Sequence, residues 1–156
     1  MTGSIERVTE AAKAAGMEIE VKRMGASTRT AEEAAAQCGC GVDQIVKSLI
    51  FQGETGDGLY LFLLQGSSRL DLKKAEALTG EKLKRADPRL IRDRTGFAIG
   101  GVSPIGHTAP VPTYAEETLL KHDLVWAAAG AHDAVFSSNP RRLLDAAKAT
   151  IADIAE

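Results

Sequence analysis

Apolar and polar positions change period repeatedly along this chain, and each change marks an element. In "SIERVTEAAKAAG", Ile5, Val8, Ala12 and Ala15 recur at helical spacing, with Ser4 placed to cap the start and Gly16 the end. "MEIEVKRM" then alternates strictly, Met17, Ile19 and Val21 against Glu18, Glu20 and Lys22, which predicts a half-buried strand. "TAEE" opens a second helix: the Thr30 hydroxyl can accept from the Glu33 N–H while Glu33 reaches back. Ala31, Ala34 and Ala35 form its stripe, and it stops near "CGCG". After a short "VDQI" turn come "IVKSLIF", a glycine-rich "QGETGDG" loop and "LYLFLLQ". These predict an antiparallel hairpin whose second strand, apolar on both faces, lies centrally in a sheet.

The second half continues the alternation of element types. "DLKKAEALTG" reads as a helix from an Asp71 cap to a Gly80 stop, "EKLKRA" as a short strand, and "DPRLIRDRTG" as a helix with Pro88 in its first turn. A Pro-bounded segment with a short helix, "TAPVPTYAEETLLKHD", precedes the strand "LVWAAAG" and its hairpin partner "DAVFS". Asn139 and Pro140 start a last amphipathic helix, with Leu143, Leu144, Ala147, Ile151 and Ile154 inward. No regular βαβ rhythm emerges. The predicted class is α/β in the mixed α+β sense: a single domain over residues 1–156, with a mixed, largely antiparallel sheet flanked by helices.

Composition narrows the picture. Aromatic residues make up only 4% of the chain, so Val, Ile, Leu and Ala must build the core. No apolar run approaches the roughly 20 residues of a membrane helix, and "MTGSIERVTEAAK" lacks the features of a secretory signal. A cytoplasmic protein with no membrane partner is expected. Cys38 and Cys40 in "CGC" are too close in sequence to bridge comfortably and too few for a zinc site, so free thiols and no metal or cofactor are expected. The net charge of −2 announces no nucleic-acid binder, but nine basic residues against five acidic ones fall between Arg69 and Arg94. That segment is either a solvated helical face or a patch that meets phosphates. Arg69, Lys73, Lys74, Lys82, Lys84 and Arg85 are its candidate contacts.

Two stretches carry chemistry. Lys47 interrupts an apolar strand; alternation sets it on one face with Leu49 and Phe51, and Val46 with Ser48 on the other. A lysine there must snorkel to water or find an anion. "GFAIGGVSPIGH" packs four glycines and a proline into twelve residues. It matches neither GxGxxG nor a P-loop. Gly100 and Gly101 are read as able to adopt positive φ and to let a ligand approach the backbone, with N–H groups at Val102 and Ser103 before Pro104 turns the chain. A bulged hairpin is the other reading of the same glycines. His107 and His132 are candidates to line a pocket, and no Ser-His-Asp order or G-x-S-x-G setting is present.

These stretches resemble the YbaK/EbsC family, which includes freestanding relatives of the editing domain in bacterial prolyl-tRNA synthetases. The likeness rests on "STRTAEEAA" (Ser27 to Ala35), "IVKSLIF", "RLDLKKAEALTG" and "GFAIGGVSPIGH". It implies a YbaK-like fold and hydrolysis of mischarged aminoacyl-tRNA, most simply tRNA(Pro) carrying Ala, Cys or a similar small residue. The family lysine falls on Lys47 and the G-x-x-x-P loop on Gly100, Gly101, Val102, Ser103 and Pro104. Ser48, a small hydroxyl residue, resembles the Thr of the cysteinyl branch and departs from the Asn of the alanyl branch; Thr30 is a further pocket candidate. The resemblance also implies that a ribose hydroxyl of the substrate helps to activate water, and that prolyl-tRNA synthetase is a candidate partner. Two other readings stand beside it: a non-hydrolytic tRNA- or synthetase-binding module of the same fold, and a hydrolase of a small ester or nucleotide.

Overall fold

The computed structural model describes residues 3–25 and 30–156. Ser27, and with it Thr28 and Arg29 of "STRTAEEAA", lie outside the described residues. The elements run α1 (Ser4–Ala14), β1 (Lys22–Arg23), α2 (Ala31–Cys38), β2 (Val46–Gly53), β3 (Leu59–Gln65), α3 (Leu72–Thr79), β4 (Leu83–Arg85) and α4 (Pro88–Thr95). They continue with β5 (Thr113–Glu116), β6 (Val125–Ala128), β7 (Ala134–Ser138), α5 (Pro140–Ala146) and β8 (Thr150–Ala152).

The strands form two sheets rather than the one expected. A five-stranded sheet has order β4-β2-β3-β5-β8, antiparallel through β3 and parallel at β3–β5 and β5–β8. A three-stranded antiparallel sheet has order β1-β7-β6. β3 is central and buried on both faces: Leu61 and Leu63 join the larger core with Val46, Phe97, Phe136 and Leu143, while Phe62 and Leu64 join a second one with Ala75, Leu83 and Ile154.

Local signals set most helix ends. Thr30 Oγ1 accepts from Glu33 N at 3.1 Å, Asp71 Oδ1 from Lys74 N at 3.1 Å and Asn139 Oδ1 from Arg142 N at 3.2 Å. Four expectations need correction. Ser4 does not cap α1; its hydroxyl donates to the Gly96 carbonyl at 3.3 Å, and Gly3 stands at the N-cap. "MEIEVKRM" keeps its inward Met17, Ile19 and Val21, but only Lys22–Arg23 finds a partner strand, in β7. β5 lies in the Pro-bounded segment read as loop and helix, because Leu61–Leu63 offer it a parallel partner. The last helix stops at Ala146; Lys148 takes φ +54°, and the chain returns as β8 beside β5. Ile154 is buried through that strand, while Ile151 is exposed.

Candidate active site

The free edge of β2 organises the site. β6 touches β2 through a bridge between Ile45 and Trp126, and β4 pairs with β2 only over Phe51–Gly53. Among the described residues no strand covers β2 between these points. The Gly53 N–H bonds to Gly58 O at 2.9 Å, and the Glu54 N–H turns the other way, to Lys82 O at 2.8 Å. Antiparallel alternation therefore aims the backbone N–H and C=O of Ser48 at the uncovered edge.

A cavity of about 340 Å³ lies along that edge. Its lining includes Val46 and Ser48 from one face of β2 and Lys47 and Leu49 from the other, so it wraps around the strand. Thr30, Ala31 and Ala34 from the start of α2, Trp126 and Ala127 from β6, and Ile99, Gly100 and Val102 close the other sides. The volume is near the lower end of the roughly 300–1,000 Å³ of small-ligand sites.

Lys47 reaches this space from an apolar face. Its ammonium donates to the Ser68 carbonyl. Burial pushes its pKa below the ordinary lysine value, Glu32 and Glu116 oppose that shift, and Arg69 adds to it. Ser48, one residue on, has a buried hydroxyl in a wall of the same cavity with no hydrogen-bond partner among the described residues. A buried hydroxyl left without a partner costs about 1–3 kcal/mol, a cost that a ligand atom bonded to it would remove.

The glycine loop faces the cavity from the opposite side, and its conformation differs from the expected one. Positive φ occurs at Gly96 and Gly106, not at Gly100 or Gly101. Gly101 is needed for another reason: a Cβ there would sit 2.9 Å from the backbone of Ala131. Its N–H is committed to Ala98 O at 2.9 Å, which removes it as a donor to ligand. The Val102 N–H, at the end of that short turn, meets no backbone acceptor among the described residues.

The remaining expected site residues separate. Thr30, Lys47, Ser48, Gly100 and Val102 line the cavity. Gly101 and His132 line a neighbouring depression that shares Ile99 and Gly100 with it. Ser103 and Pro104 are buried and form no part of either lining. His107 is behind the loop rather than in the pocket: its Nε2 is 2.7 Å from Ser103 O and its ring meets Phe97 edge-on at 5.1 Å. Of the basic candidates, Lys74 is engaged by Asp153 at 2.9 Å and by Ala155 O at 2.8 Å. Lys73, Lys82, Lys84, Arg69 and Arg85 are exposed.

Arg89 and Arg92 were missing from that set. They line a shallow groove with Pro88, Ala98 and Ile99, and Ile99, 64% exposed, belongs to both groove and cavity. Two arginines one helical turn apart, just ahead of the glycine loop, were the available signal.

The aminoacyl-tRNA editing domain profile matches residues 26–146, from just before α2 to the end of α5. The chain belongs to that family. This editing domain is 48% identical to, and superposes with TM-score 0.90 on, the crystal structure of "a putative trans-editing enzyme for prolyl tRNA synthetase", covering 100% of this chain and 99% of that one. It is 32% identical over 126 residues to the uncharacterized protein YwhH of Bacillus subtilis, covering 81% of this chain and 80% of YwhH. It is 29% identical over 126 residues to the "Putative Cys-tRNA(Pro)/Cys-tRNA(Cys) deacylase EbsC" of Enterococcus faecalis, covering 80% and 76%. The YbaK/EbsC resemblance and the mixed α/β fold are thus those of the family.

Proposed function

We propose that this editing domain is a trans-acting hydrolase that removes a small non-cognate amino acid from tRNA(Pro). The observation that carries the reading is the convergence of Lys47, the Ser48 hydroxyl, and Gly100 and Val102 of the glycine loop on one small cavity. An aminoacyl ester is already activated, so orientation and charge stabilisation supply most of what the reaction needs. In this scheme the ester carbonyl approaches the loop, and the Val102 N–H meets the oxygen as negative charge develops on it. Lys47 restrains the terminal adenosine through its phosphate or the ester. Water attacks the carbonyl carbon, its proton passing through the neighbouring ribose hydroxyl to the ribose oxygen that leaves. The bond from that carbon to the ribose oxygen breaks, releasing amino acid and free tRNA.

Ala31, Ala34, Ala127 and Ala128 leave room for a short side chain and limit a longer one. Arg89 and Arg92 beside exposed Ile99 suit the strand that leads into the cavity, phosphates on the guanidinium groups and a base on the apolar side chain. The substrate would place the reaction in the cytoplasm, and prolyl-tRNA synthetase, which supplies mischarged tRNA(Pro), is the candidate partner.

The test is deacylation of tRNA(Pro) charged with Ala, Ser, Cys, 2-aminobutyrate or Pro, by wild type and Lys47→Ala. One small non-cognate ester is expected to be lost rapidly, and the substitution to slow it roughly 100-fold or more, the scale of removing a charge-stabilising group. Binding of every species with hydrolysis of none would overturn the hydrolase and leave a binding module.

A further inference from the structure

On the face of the main sheet that carries Lys47, three side chains form one row. Lys47 pairs with Leu64 across β2–β3, and Leu63 pairs with Ala115 across β3–β5, which sets Glu116 beside Leu64. Two strand spacings separate Lys47 from Glu116, roughly 10 Å between backbones. A buried carboxylate is costly unless its oxygens are met. Glu116 is 6% exposed, and both oxygens are met: Oε2 accepts from the Gln65 N–H at 3.1 Å, and Oε1 from the Ser68 hydroxyl at 2.8 Å.

Ser68 is also the residue whose carbonyl receives the Lys47 ammonium. The turn between β3 and α3 is thereby held at both ends by one carboxylate, at Gln65 and at Ser68. A second clasp, from the Ser67 hydroxyl to Asp43, ties its middle to the segment before β2. Gly66 in this turn forms part of the cavity wall. We propose that Glu116 is a positioning residue for Lys47: through Ser68 it fixes the carbonyl that orients the ammonium along the cavity.

Its charge acts on the same group, opposing, with Glu32, the loss of the proton that burial and Arg69 favour. Glu32 lines the cavity where a ligand can screen it, whereas Glu116 is sealed beneath the turn. The kinetic consequence of this role rests on the deacylase reading; the effect on Lys47 itself does not.

The experiment compares wild type, Glu116→Gln, Glu116→Asp and Ser68→Ala by two readouts. One is single-turnover deacylation of the preferred aminoacyl-tRNA with the half-saturating protein concentration. The other is the Lys47 titration followed by NMR in lysine-labelled protein, assigned by its absence in Lys47→Arg. Glu116→Gln is expected to slow the maximal rate at least tenfold, to leave half-saturation within twofold, and to move the Lys47 titration midpoint down by half a pH unit or more. Glu116→Asp restores the midpoint, and Ser68→Ala slows the rate without removing the charge. An unmoved midpoint in Glu116→Gln, or rate losses that only follow a fall in melting temperature, would overturn the role. If Glu116→Gln does not fold, a wild-type rate in Ser68→Ala overturns it. If wild type hydrolyses no aminoacyl-tRNA, the deacylase reading fails, and the midpoint comparison still decides Glu116.

Discussion

Two glycine-rich segments in this chain look alike in sequence and differ in physical purpose. In the turn from Gly53 to Gly58, which joins β2 to β3, a Cβ added at Gly56 or Gly58 would meet nothing within 4 Å. These two glycines serve an exposed hairpin connection, while at buried Gly53, the end of β2, the nearest atoms a Cβ would meet belong to the Glu81 side chain and not to backbone. In the segment from Gly96 to His107, a Cβ at Gly101 would press on the Ala131 backbone, and one at Gly106 would sit 3.0 Å from the backbone of Val8 with φ already at +86°. Here backbone packs against backbone, and the loop is supported from the rear. Arg7 donates to Gly96 O at 2.5 Å and to Gly106 O at 3.3 Å, and its guanidinium lies 5.2 Å from the centre of the Phe97 ring. His107 packs on the same ring and reaches Ser103 O. Composition marks both segments as irregular; contacts decide which one holds a site.

The sharpest way to break this contrast is Gly101→Ala. The added methyl must displace the loop or Ala131, so a loss of stability of about 1–3 kcal/mol and a more than tenfold fall in deacylation are expected, read by denaturant unfolding and by single-turnover rates. A wild-type rate would show that the loop tolerates movement and is not a rigid wall.

A smaller effect is expected from pH through His107. Burial, the largest cause, pushes its pKa below the ordinary 6.5; the Ser103 carbonyl opposes the shift and Arg7 adds to it. Between the folded value and 6.5 the unfolded chain then binds more protons than the folded one, so stability falls as pH falls through that window and levels off below it. Melting curves from pH 7.5 downward should show this loss, and His107→Gln should flatten it. An equal slope in the variant would remove His107 as the cause.

The smallest effect belongs to the hairpin turn. Gly56→Ala should change stability by less than about 0.5 kcal/mol and leave deacylation as in wild type; a loss comparable to that of Gly101→Ala would erase the distinction between the two segments.

Elements whose signals are local were legible without a structure. The Thr30, Asp71 and Asn139 caps, the Pro88 start of α4, the β2–β3 and β6–β7 hairpins and the central position of β3 all follow from residues a few positions apart. Lys47 was legible as a charge out of place among apolar neighbours. What stayed hidden depends on partners distant in sequence. β5 and β8 are parallel strands with weak patterns of their own, and they exist because β3 offers an edge. Ser4 left its capping role for a carbonyl 92 residues away.

The sequence by itself determined the chemistry available: a lysine and a serine on one strand, a glycine-proline loop, and a run of arginines. Tertiary structure alone decided how these are used, because covering a strand edge is a property of several strands at once. Among the described residues it left β2 without a partner strand between β6 and β4, wrapped a cavity around that gap, and committed the Gly101 N–H to Ala98 while giving the Val102 N–H no backbone acceptor. It also set His107 behind the loop and buried Glu116 beneath Ser68. Local patterns specify each strand's faces, but only the assembled sheets specify which backbone and side-chain groups remain without partners, and in this protein those groups form the candidate active site.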